Sequence, residues 1–199
     1  MRNYLFCSFL LFCLCCSTNV WTQSSFGIKL GMGLSTPSIT VMPDTYDSWL
    51  PESRFGAVFG VFAQVPLRGE WVFLPAVQFS SKGFKERHAS TTSNYNFTLA
   101  NPYFYLDIPL NFVHTSSAKG NGFQLGGGPV LSYLLNNRYR SHAAKSVDFG
   151  VNGLLGYQTP IGFSVQMNYT FGFANAGDKA YHVTNLKNRF AALTIGYLF

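Results

Sequence analysis

Charge is scarce in this 199-residue chain: 11% of residues are Asp, Glu, Lys or Arg, against roughly 25% in an ordinary soluble domain. Long hydrophobic runs are missing as well. No apolar stretch reaches the roughly 18 residues that a spanning helix needs. Cysteine is confined to Cys7, Cys13, Cys15 and Cys16. From residue 24 onward there is none, which excludes a disulfide, a thiol nucleophile and a Cys-based metal site there. A charge-poor, apolar chain without a spanning helix has one other route into a bilayer, a closed barrel of strands.

What is present fits that route. Residues 1–23 read as a secretory signal peptide, with Arg2 as the positive end and an apolar run from Tyr4 to Cys16. The run is too short for a membrane anchor, and Leu14 before Cys15 does not suit a lipoprotein site. The expected division is therefore a leader over 1–23 and one barrel domain over 24–199. Losing the leader removes Arg2 and no acid, so a net positive charge remains. No basic cluster with interleaved aromatics is present, so nucleic acid is not an expected partner. An anionic lipid surface suits the charge better.

From residue 26 on, the dominant signal has a period of two. Phe163, Val165, Met167, Tyr169, Phe171 and Phe173 alternate with Ser164, Gln166, Asn168, Thr170, Gly172 and Ala174. Such alternation gives a strand one bulky face and one small polar face. The same pattern predicts strands over 26–34, 54–65, 71–81, 103–113, 122–135, 147–158, 163–174 and 188–199. The connections alternate between long (36–53, 82–99, 136–146, 175–187) and short (66–69, 115–121, 159–162). An even strand count with long loops at one end describes an eight-stranded antiparallel up-and-down transmembrane β-barrel, an all-β fold. A soluble lipocalin-like barrel also has eight strands, but its outer face is charged; here the polar face is mostly Gly, Ser, Thr, Asn and Gln. Pro75, Pro109 and Pro129 fall inside strands, where bulges or bends are expected because proline cannot donate to a ladder.

Some stretches resemble a known family. Tyr105-Leu-Asp-Ile-Pro-Leu-Asn-Phe112 is similar to a stretch of the PorT-like outer-membrane β-barrel proteins of the Bacteroidota. So are Gly126-Gly-Gly-Pro129 with Leu134-Leu135, Asp148-Phe-Gly150 with Gly153, Phe26-Gly-Ile-Lys-Leu-Gly31 and the terminal Ile195-Gly-Tyr-Leu-Phe199. The resemblance implies an eight-stranded outer-membrane barrel and assembly through recognition of the aromatic-ended last strand by the barrel-assembly machinery. It implies no reaction, and the secretion and gliding role of the family's namesake does not transfer with barrel-building residues.

The chemistry-bearing residues are few. Alternation points Lys29, Arg54, Asp107 and Asp148 into the lumen, and two pairs are expected there, Lys29 with Asp107 and Arg54 with Asp148. Burying an unpaired charge is costly, so these pairs would plug the barrel. Lys82, Lys85, Arg87, Arg138, Arg140 and Lys145 fall in the long loops, where they could contact lipopolysaccharide phosphates or simply solvate the loops. Lys179, Lys187 and Arg189 add to that set, while Asp44, Tyr46, Asp47, Trp49 and Glu52 make the first loop acidic and aromatic. The four histidines share no metal-ligand spacing. Glu86, His88 and Ser90 are the residue types of a lipid-A hydrolase, but proximity in sequence is not geometry. The expectation is a structural or surface-binding monomer of the outer membrane, with no reaction and no cofactor. An outer-leaflet lipid-modifying enzyme and an accessory subunit of a secretion or gliding apparatus are the alternatives.

Overall fold

The structure is a computed structural model and describes residues 24–41, 49–89, 96–136, 147–173 and 183–199. Eight strands follow one another: β1 (Ser25–Val41), β2 (Trp49–Pro66), β3 (Trp71–Ala89), β4 (Asn96–Thr115), β5 (Gly122–Asn136), β6 (Val147–Gln158), β7 (Phe163–Gly172) and β8 (Val183–Leu198). Each pairs antiparallel with the next, and β8 returns to β1, so the sheet is a closed barrel. Closure runs from Gly27↔Leu198 up to Val41↔Val183, and the Phe199 amide donates to the Phe26 carbonyl at 2.8 Å. No sheet edge is left along this seam.

The two faces divide as the alternation requires. Along β6 exposed and buried positions alternate almost without exception. Phe26, Ile28, Leu30 and Met32 on β1 point outward, as do Phe163, Val165, Met167 and Tyr169 on β7. Large apolar side chains on the outside make sense only against lipid. The short turns share one end with Ser24 and Phe199, where the described residues begin and finish, the periplasmic end by the rule for bacterial barrels.

The upper ends of the strands differ from expectation. β1 to β4 have 17, 18, 19 and 20 residues, while β7 has 10. A tilted membrane strand needs roughly 9 to 11, so the β1–β4 wall continues well past that length. Residues 36–41, 49–53, 82–89 and 96–99, expected in loops, are ladder. Their polarity does not alternate as it does lower in the strands. Backbone pairing continues regardless, through Trp49↔His88 and His88↔Phe97.

The prolines also act differently from expectation. The β2–β3 ladder lacks its rungs between Phe62↔Ala76 and Val65↔Phe73, beside Pro75. The β3–β4 ladder lacks those between Pro75↔Leu110 and Gln78↔Asp107, beside Pro109. The β4–β5 ladder lacks those between Pro109↔Val130 and Phe112↔Gly127, beside Pro129. Register is unchanged across all three gaps. A proline removes a donor but adds no residue, so it opens a ladder without shifting it. The shift in β2–β3 lies higher, where 54–57 stand opposite 81–83; Gly83, at φ 121°, supplies a backbone conformation that other residues rarely adopt.

Candidate functional site

The lumen is where the strands bring chemistry-bearing residues together. It is filled in layers. Phe62, Val72, Leu74, Ala76, Val113 and Leu154 form an apolar cluster inside the barrel. Their strands also carry the polar layers, because inward positions recur every second residue.

The charged layer centres on Asp107. Its carboxylate accepts from Lys82 Nζ at 2.8 Å and from Ser80 Oγ at 2.5 Å. Lys82 Nζ also donates to Ser132 Oγ at 3.3 Å and lies over the Tyr105 and Phe190 rings, 4.9 and 5.6 Å from their centroids. The ion pair is almost fully enclosed. This corrects two expectations. Lys82 is not a rim residue: it follows the expected strand end by one position and points inward on β3, buried. It, and not Lys29, makes the short ion pair with Asp107, because β3 and β4 are neighbours and a lysine stem spans the diagonal. Lys29 is buried too, and Asp107 is the charge that acts on it. The Arg54 guanidinium donates to Ser81 Oγ at 2.9 Å and to the Lys82 carbonyl at 3.1 Å. Asp148 is buried in the lumen. Together with Lys82, Ser132, Thr170 and Phe190 it lines a void of about 10 Å³, about one water's worth of space.

Two amide layers complete the filling. Asn152 Nδ2 donates to Asn111 Oδ1 at 3.0 Å, and Thr170 Oγ1 donates to Asn152 Oδ1 at 3.0 Å. Gln124 Nε2 donates to Gln158 Oε1 at 3.0 Å, and Gln166 Nε2 donates to Gln124 Oε1 at 3.2 Å. These glutamines come from β5, β6 and β7. In the sequence each is only one polar residue among many, so nothing in the pattern singles them out. Gln64 Oε1 is the one buried side-chain acceptor without a partner among the described residues. Gln64 also lines a periplasmic recess of about 440 Å³.

At the outer rim, Lys85 lies on β3 and is half-buried, and Arg87 lies on the same strand. Lys187 and Arg189 lie on β8, with the Arg189 guanidinium 5.4 Å from the Phe171 ring centroid. Trp49 and Glu52 are in β2. Arg138, Arg140, Lys145, Lys179, Asp44, Tyr46 and Asp47 lie outside the described residues, as does the leader at 1–23. Glu86 and His88 are on β3, and Ser90 is outside the described residues. His114 Nε2 is 3.3 Å from Glu70 and stacks edge-on to Trp71, at the periplasmic end. Among the described residues no three His, Cys, Asp or Glu converge as a metal site would require.

The outer membrane protein beta-barrel domain family matches residues 21–177. The chain belongs to that family. Membership implies residence in the outer membrane. No curated protein matches the chain. Solved barrels of similar shape include neisserial surface protein A, at 13% identity and a TM-score of 0.49, over 88% of this chain and 99% of that one. The attachment invasion locus protein Ail of Yersinia pestis has 13% identity and a TM-score of 0.46, over 88% and 99%. OprG of Pseudomonas aeruginosa has 15% identity and a TM-score of 0.45, over 88% and 96%.

Proposed function

We propose that this chain is a non-enzymatic, plugged barrel with a structural or surface-binding role in the outer membrane. One observation carries the reading: among the described residues the inward side chains form bonded charged and amide layers, with a void of about 10 Å³ at the charged layer. A barrel of this size has room for side chains or one small ligand, and here the side chains take it. Export by residues 1–23 and delivery to the barrel-assembly machinery belong to the same reading.

The surface partner that fits best is lipopolysaccharide. Lys85, Arg87, Lys187 and Arg189 lie on upper strand ends beyond the apolar belt, and Arg138, Arg140 and Lys145 belong to the 137–146 connection. Charge-assisted bonds from such residues match phosphate groups. The PorT-like resemblance supports the same barrel. Tyr105 and Asp107 within it face the lumen, so it brings no residue of its own to a secretion or gliding role.

The test has two readings. In planar bilayers the purified protein should show no steady conductance, and a persistent open channel would overturn the plugged lumen. In vesicles bearing lipopolysaccharide, combined Lys187→Ala and Arg189→Ala should weaken retention of the glycolipid several-fold. Unchanged retention would remove lipopolysaccharide as the partner and leave the plugged barrel standing.

A further inference from the structure

The lipid-facing surface is not smooth. Low on the β1–β4 wall lies a recess of about 450 Å³, bounded by Phe26, Ile28, Val61, Ala63, Val77 and Ile108. Its cause is local. Pro75 and Pro109 open the ladders on both sides of β3 at this height, and Ala63 and Ala76 leave the wall thin. From the lumen side the recess is closed by the Phe62 ring. Phe62 is buried in the apolar cluster and packs so close to Gly27 that a Cβ there would collide with it. The recess is therefore blind, apolar and open only to the bilayer.

We propose that this recess binds one acyl chain of a phospholipid from the periplasmic leaflet. The inference rests on the outer-membrane placement argued above. The recess is continuous with the apolar belt, so hydrocarbon is the medium against it. Its volume is in the range of small-ligand sites, roughly 300 to 1,000 Å³. Left unfilled, its lining would lose dispersion contacts. Phe26 and Phe199, paired at the lower end of the β1–β8 seam, stand at its lower margin. Phe199 is 73% exposed. That position selects the periplasmic leaflet, hence a phospholipid, over outer-leaflet glycolipid.

The experiment uses the full barrel in phosphatidylethanolamine–phosphatidylglycerol vesicles that contain a phospholipid with a diazirine midway along one chain. After illumination, peptide mapping should find adducts at Val61, Ala63, Val77 and Ile108 several-fold above Leu155, Val165 and Met167, which are exposed on the far wall. Ala63→Trp fills the recess and should bring the first set down to the level of the second, while the folded gel band persists. If that variant loses the folded band, Val77→Trp is read in the same way. Even labelling around the belt, or enrichment that survives the tryptophan, overturns the site. Labelling by a free diazirine fatty acid with the phospholipid silent overturns the assigned source. Loss of membrane association by the parent protein would instead mark failure of the barrel reading itself.

Discussion

The charged and amide layers of the lumen solve one problem in two ways. Around Asp107 a single carboxylate is answered by Lys82 and Ser80, with Ser132 and two aromatic faces completing the lysine. Around Gln124 and Asn152 each amide carries both donor and acceptor, and partners come from the next strand or the one beyond it. Both layers keep buried polar groups bonded. They differ in what remains when one member is lost. In the first a buried lysine loses the carboxylate that it bonds. In the second a neutral amide loses one of several options.

Four variants probe that contrast, from the largest effect to the smallest. Asp107→Ala removes the carboxylate that Lys82 bonds and should lower unfolding stability by about 3–5 kcal/mol, read as a lower urea midpoint of the heat-modifiable band. A loss below about 1 kcal/mol would erase the distinction between the layers. Gln124→Leu should lose about 1–3 kcal/mol, because Gln158 and Gln166 each forfeit one bond; a loss equal to that of Asp107→Ala would show that redundancy counts for nothing. Lys82→Met combined with Asp107→Leu removes both members of the ion pair and keeps the volume, so its midpoint should recover part of the loss, the rest reflecting buried Lys29 and Asp148. A double variant as unstable as Asp107→Ala alone would mean that packing, not charge, is the cause. Outside the lumen, Arg189→Ala removes one exposed cation from the Phe171 ring and should shift the midpoint by no more than about 1 kcal/mol.

The fold was legible because lipid imposes a rule that a sequence can carry: every second residue bulky and apolar. Phe163 to Phe171 obey it, and β7 starts where that alternation does. Where the rule stops, so did legibility. Lys82 is one residue past the last clearly alternating position of β3, and that single step separates a rim lysine from the partner of Asp107. The ladder continuing through Glu86 and His88 left no trace in polarity. Pairings inside the lumen were beyond reach for another reason. Strand tilt and stagger decide which inward residues meet, and neither is written locally. Asp107 and Lys29 could be assigned a face, but not which lysine lies within 3 Å of the carboxylate. The Gln124–Gln158–Gln166 set depends on three strands and could be seen only once they were side by side.

The seam between β1 and β8 carries one more consequence, for the order of events in folding. Gly27 and Leu198 are paired across nearly the whole length of the chain. The other ladders join strands adjacent in sequence, with short connections at one end. Loop-closure entropy makes such a distant contact the slowest to reward. Hairpins can form early, but the β1–β8 contact waits until both ends of the chain have arrived. At that moment rings already carried by β2 and β8, Phe62 and Phe190, must settle over Gly27 and Gly33, positions where even a methyl group would collide. Alanine at either glycine should therefore slow the final closing step in refolding and leave the earlier hairpin phases at their parental rates.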